Sequence, residues 1–275
     1  MSGTVPSSEA HARLQGVTRV YPPAAGHPAV HALGPVDIEL RKGEFFAVVG
    51  PSGCGKSTLL EVLAGLQPAT SGTVEFEGRR VSGVVPDNIG VVFQEDASFP
   101  WLTVWDNAAF GLRRSGAAPT EVRRRVDDAL AFMGLRDFAR AYPLQLSGGM
   151  RQRVCIARTL VLQPRLILLD EPFGALDAQT RLLMGEEVLR LWRRIGATIL
   201  LITHALDEAA MLADRVGAMS ARPGRFIEVI ETGWMRERDS TIVREPAFAE
   251  ITGRLWANLR GESMKALGHS SMAAE

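Results

Sequence analysis

The chain is poor in cysteine, in lysine and in long apolar runs, and it carries no net charge. Two cysteines in 275 residues, Cys54 and Cys155, are too few for a disulfide framework. They are expected as free thiols in a cytosolic, reducing compartment. No apolar run approaches the ~20 residues that cross a bilayer, and MSGTVPSSEAHARLQG at the start is polar, without the apolar stretch of a secretory signal. Any role at a membrane then has to come through a partner. Basic and acidic residues number 31 each, which argues against a nucleic-acid binder held by overall charge. Of the basic residues only Lys42, Lys56 and Lys265 are lysines. The remainder is ordinary globular composition, 46% hydrophobic and 23% charged, in a chain long enough for one large domain or two merged subdomains.

The apolar residues that are present fall in short blocks. EFFAVVG at 44–50, RLILLDE at 165–171 and ATILLIT at 197–203 read as buried parallel strands, because both faces of each would have to be apolar. Helices are expected after them at about 56–65, 178–195 and 205–213, and further strands at 14–20, 36–40 and 73–77. Strand, loop and helix in repetition predict an α/β fold around a parallel sheet. The stretch 104–163 differs: EVRRRVDDALAFMGL at 121–135 has apolar residues at helical spacing, so a helical subdomain is expected between two strands. Residues 1–10 and 264–275, rich in small and polar types, are expected to fray.

GPSGCGKS, from Gly50 to Ser57, fits G-x-x-x-x-G-K-[ST] and has the strand before it and amphipathic run after it that the motif requires. Glycines let Gly50, Pro51, Ser52, Gly53, Cys54 and Gly55 curl so that successive N–H groups face a phosphate, and a helix N-terminus adds its dipole. Lys56 should reach the β- and γ-phosphates of ATP, Ser57 should ligate Mg²⁺ and Thr58 can touch the α-phosphate. Cys54, beside Lys56 and a helix start, is expected to have a lowered pKa and a reactive thiol. Asp170 and Glu171 leave the end of a buried strand, where ligands of open α/β sheets bind. Asp170 suits the Mg²⁺ shell, and Glu171 suits a general base for an attacking water.

LSGGMRQR at 146–153 is a second glycine-rich loop at a helix mouth, without a lysine. Taken with GPSGCGKST, Gln94, LILLDEP, GALD and His204, in that order and spacing, it resembles the ATPase subunits of ABC transporters over about residues 14–230. The resemblance implies a P-loop cassette over 12–230. It would have a RecA-like parallel-sheet core, an antiparallel β-subdomain and an inserted helical subdomain at about 100–163. Residues 231–275 would form a helical extension and tail. It also implies that two cassettes pack head to tail, so that Ser147, Gly148 and Gly149 of one hold the γ-phosphate bound by the other. By the same resemblance Tyr21 stacks on adenine, Gln94 touches Mg²⁺ or the water, Asp177 crosses the dimer and His204 contacts the γ-phosphate. Met150 stands where Gln is commonest in the family, and Ala205 where many relatives carry Asp.

PDNIGVVFQEDASFPWLTVWDN and MSARPGRF further resemble importers of nitrate, sulfonates and taurine. This implies membrane permease subunits, a substrate-binding protein reached through them, and a place on the cytoplasmic face of the membrane. Trp101 and Trp105 follow Gln94 where family members receive the permease. ATPase subunits of other importers, pyrimidine-type among them, and of exporters share these motifs. A soluble ABC-type ATPase acting on DNA or ribosomes fits less well, since the chain has one cassette and no long coiled coil. A non-enzymatic scaffold would not need both Glu171 and His204. In the tail, Phe248, Ile251, Leu255 and Leu259 mark one helical face that should dock on the core.

Overall fold

The computed structural model describes residues 10–23, 28–94, 97–174 and 176–272. The fold is α/β, with two sheets. Six strands lie in the order β10-β9-β3-β8-β7-β6: β3 (Phe45–Val49), β6 (Ile89–Val92), β7 (Leu166–Asp170), β8 (Thr198–Thr203), β9 (Arg215–Met219) and β10 (Phe226–Glu231). All pairings are parallel except that of β10 with β9. A separate antiparallel sheet runs β2-β1-β4-β5, from β1 (Ala10–Tyr21), β2 (Val30–Arg41), β4 (Ser71–Phe76) and the two-residue β5 (Arg79–Arg80).

The unbroken apolar runs are explained by two cores, one on each face of the larger sheet. Along β3, Phe45, Ala47 and Val49 pack into one cluster, while Phe46 and Val48 pack into the other. Successive side chains of a strand point to opposite faces, so a strand covered on both sides has no polar face. The first cluster is closed by α2 (Val104–Arg114), α3 (Pro119–Phe132), α4 (Gly148–Leu160), α5 (Ala178–Ile195), α6 (Leu206–Leu212) and α7 (Pro246–Met272). In it the Phe45 ring meets Trp192 edge-on at 5.8 Å. The second cluster joins α1 (Lys56–Leu63) to the antiparallel sheet through Leu14, Val17 and Val36. The stretch 104–163 contains only helices and turns and lies between β6 and β7.

One expectation changes at the tail and another holds. Residues 264–272 are not frayed but continue α7; residues 1–9 and 273–275 lie outside the described residues. Phe248, Ile251, Leu255 and Leu259 are all buried, and Glu262 accepts a hydrogen bond from the Ala221 amide at 2.8 Å, so α7 is held to the core well past its middle. Among the described residues no helix is long and apolar enough to cross a membrane.

Candidate active site

The carboxyl ends of four neighbouring strands, β3, β8, β7 and β6, open on one edge of the sheet. β3 leads into the phosphate loop, β7 ends at Asp170, β8 ends just before His204 and β6 just before Gln94. Residues distant in sequence therefore meet around a cleft of about 520 Å³. Its walls include residues 52, 53 and 55–58 of the loop, with Tyr21, Gln94, Glu171 and His204.

The loop turns into α1 at Gly55, whose φ of +109° is closed to most L-residues and whose absent side chain lets the Ala32 carbonyl approach. Lys56 is buried, its ammonium donating to the carbonyls of Gly50 at 2.9 Å and Pro51 at 3.1 Å. Those bonds hold the charge under the loop. Cys54 corrects an expectation. Its side chain points into the second core, 1% exposed, and burial pushes the thiol pKa up against the weaker opposing pull of Lys56. The neighbouring charge would have favoured a thiolate; removal from water outweighs it. The Cys54 sulfur is thus turned away from the cleft. Gly50, Pro51, Cys54 and Asp170 do not line the cleft.

Asp170 and Glu171 are adjacent yet face different partners. Asp170, buried at the strand end, accepts from the Ser57 hydroxyl at 3.3 Å, and burial raises its pKa while the Ser57 bond opposes this. Glu171 has a left-handed φ of +45°, which swings its side chain out of the strand's alternation. Its Oε2 accepts from Gln94 Nε2 at 3.0 Å and lies 3.2 Å from His204 Nδ1. A hydroxyl and a partly desolvated carboxylate, with an amide oxygen on Gln94, form an all-oxygen donor set of the kind Mg²⁺ takes alongside waters and phosphates. The residues present fit that ion. Tyr21 stands on the far wall, its hydroxyl 3.5 Å from Thr58 Oγ1 and its ring covered by the Arg19 guanidinium at 4.6 Å.

A family model described as ABC transporter matches residues 33–174, more than half of the chain. The chain belongs to the ABC transporter family. Over 257 residues it is 41% identical to the nitrate import ATP-binding protein NrtD of Synechocystis sp., covering 91% of this chain and 96% of that one. It is 48% identical over 197 residues to the taurine import ATP-binding protein TauB of Pelagibacter ubique, covering 72% and 74%. Among solved structures, the ATP-binding cassette MJ0796, dimeric in a post-hydrolysis state with ADP and Pi, superposes with a TM-score of 0.71. It is 31% identical and is covered over 98% of its length, against 80% of this chain. This ABC chain is accordingly an ATPase that binds ATP.

The second glycine loop of this ABC cassette sits elsewhere. Ser147 is exposed and caps α4, its Oγ accepting from the Met150 amide at 3.3 Å. An accepting hydroxyl still has its O–H to donate. Ser147, Gly148 and Gly149 are not among the residues lining the cleft, and neither is Asp177. Asp177 caps α5, accepting from the amides of Gln179 and Thr180 and from the Thr180 hydroxyl, with the Thr180 hydroxyl the main reason its pKa is lowered. Arg222 was given no role by the sequence. It lines the cleft and donates twice, at 3.0 and 3.2 Å, to the carbonyl of Gly53. Of the two tryptophans, Trp101 is 71% exposed, stacked near Phe99 at 5.6 Å. Trp105 packs on the core and donates to Asp127 at 2.9 Å.

Proposed function

We propose that this chain is the ATP-hydrolysing subunit of an importer for a small anion such as nitrate, sulfonate or taurine, with residues 12–230 as the cassette and 231–275 as an extension. The observation that carries the dimeric part is the separation of the two glycine loops. The cleft has a cradle, a candidate base and a candidate γ-phosphate contact, while Ser147 and Gly148 stand exposed outside it with Gly149 half-buried beside them. A loop with backbone N–H groups and a hydroxyl at a helix N-terminus is a phosphate site, and a second copy turned head to tail brings it a phosphate. The dimeric cassette with ADP and Pi supports this arrangement, and the import proteins for nitrate and taurine support the cargo.

Within one cleft, Lys56 turns from the loop carbonyls to the β- and γ-phosphates, and Tyr21 stacks on the base. Ser57, Asp170 and Gln94 would hold Mg²⁺, which would supply neutralisation of phosphate charge. Glu171 takes the proton of the attacking water while Gln94 and His204, both within 3.2 Å of Oε2, fix the carboxylate and contact the water and the γ-phosphate. Ser147, Gly148 and Gly149 of the second copy close the site, and Asp177 crosses between copies. The exposed aromatics Trp101 and Phe110, each in ring contact with the half-buried Phe99, receive the permease, which keeps the chain peripheral on the cytoplasmic face and links it to a substrate-binding protein beyond. Glu171→Gln should retain ATP binding, lose hydrolysis by ~10²–10⁴-fold and accumulate an ATP-bound dimer by sedimentation. Unchanged turnover removes Glu171 from this role. Failure of the native protein to co-purify with a permease removes the transport assignment.

A further inference from the structure

The last helix is braced against the nucleotide loop. Arg254 and Asn258 both donate to the Glu228 carboxylate on β10, and Glu262 accepts from Ala221. The next residue, Arg222, grips the Gly53 carbonyl. These ties, with the buried face of α7, fix the helix in rotation and in height. They direct Trp256 to one place. Trp256, Leu259 and Ser263 form one wall of a groove of about 370 Å³ whose other wall includes Pro51, Ser52 and His204. Trp256 is 59% exposed there, and Met264, two turns along the same side, is 67% exposed.

We propose that the Trp256 flank of α7 is a contact surface for a second copy of this chain, enlarging the head-to-tail interface beyond the cassette. The inference rests on the head-to-tail reading above and adds a part to it. Ser52 and His204 line both this groove and the nucleotide cleft. A copy that lays its Ser147 loop over the cleft must come up against the adjoining edge, and that edge is α7. Tryptophan is the side chain that gains most from such desolvation at an interface. The permease is the poorer occupant, because the aromatics Phe99, Trp101 and Phe110 belong to α2 and the segment before it, whereas α7 packs on α6, β9 and β10.

The test uses full-length Glu171→Gln protein, which traps ATP-bound dimers, alone and combined with Trp256→Ala or Trp256→Phe. Sedimentation with ATP and Mg²⁺ gives the dimer dissociation constant, and calorimetric titration of dilute monomer gives the ATP affinity. Trp256→Ala should weaken dimerisation by about tenfold or more, Trp256→Phe by less, with ATP affinity of the monomer and the thermal melt unchanged. Equal dimer constants for Glu171→Gln and its Trp256→Ala combination overturn this inference and leave the head-to-tail dimer standing. Loss of monomer ATP affinity also overturns it, since the flank would then serve its own nucleotide. If Glu171→Gln itself stays monomeric in ATP, the head-to-tail reading fails first.

Discussion

Two loops in this chain set glycines at the mouth of a helix, and they are built in opposite ways. The loop at 50–58 is enclosed: its lysine is buried, its Gly55 is pressed against the Ala32 carbonyl, and Arg222 holds it from outside. The loop at 147–149 is open. Ser147 is exposed, and the nearest atom to a side chain added at Gly148 is 3.8 Å away, on Arg151. On the head-to-tail proposal an enclosed loop completes its own site and an open one lends itself to a second copy. The same composition would then serve two ends, distinguished by accessibility.

The sharpest way to break this contrast is complementation. Lys56→Ala should lose nucleotide binding, and Ser147→Arg should keep it while losing hydrolysis, each by ~10²-fold or more. In a mixed dimer one composite site carries both lesions and the other carries neither, so combining the two inactive proteins should restore turnover in an ATPase assay. If Ser147→Arg abolishes nucleotide binding in the monomer, the open loop serves its own chain and the contrast collapses.

A smaller effect separates the loops in the folded protein alone. Gly55→Ala forces a side chain to φ +109° with its Cβ 2.6 Å from the Ala32 oxygen, a strain of about 2–4 kcal/mol. Gly148→Ala adds a methyl at the first turn of α4 with room around it and should change stability by less than about 1 kcal/mol. Urea denaturation of the two variants measures the difference, and equal destabilisation would contradict it.

The smallest effect concerns a buried carboxyl on α6, four residues after His204. Glu208 on α6 is buried, accepts from the Thr203 hydroxyl at 2.9 Å, and burial pushes its pKa from an ordinary 4.5 up to about 7. The folded form then holds a proton that the unfolded form has lost between those values, so stability falls as pH rises from about 4.5 through 7. Glu208→Gln removes that loss. It should raise stability at pH 8 by about 1–3 kcal/mol and change little near pH 4.5, read from thermal melts at both values. A gain that is the same at both would mean that the carboxyl's charge is not the cause.

The parts of the site that could be read from sequence are those where local pattern and long-range geometry coincide. Lys56, Asp170, Glu171 and His204 each follow an unbroken apolar run, and such runs become neighbouring strands whose ends share an edge. β6 and β9 were not legible. IGVV is four residues with a glycine inside, and in RVGAM, Gly217 makes room for the rings of Phe226 and Phe46, so neither has the continuous side-chain pattern of a strand. Arg222 reaches its carbonyl across 169 positions, and nothing local encodes that. Cys54 shows a further limit: its sequence neighbours imply charge and solvent, but the direction of one Cα–Cβ bond places the sulfur in the core.

Glu171 carries its carboxylate from a backbone conformation that non-glycine residues seldom adopt. Just past the end of β7, its amide donates to the Ile202 carbonyl at 2.8 Å and its carbonyl accepts from the Gly174 amide at 3.1 Å. The inversion therefore occurs where both backbone groups of the residue are hydrogen-bonded. Asparagine, aspartate or glycine would sit there more easily. Yet glycine and asparagine lack the carboxylate, and aspartate is one methylene short of Gln94 and His204. At this position backbone preference and the contacts to Gln94 and His204 favour different residues, and the base role proposed for Glu171 would account for the glutamate.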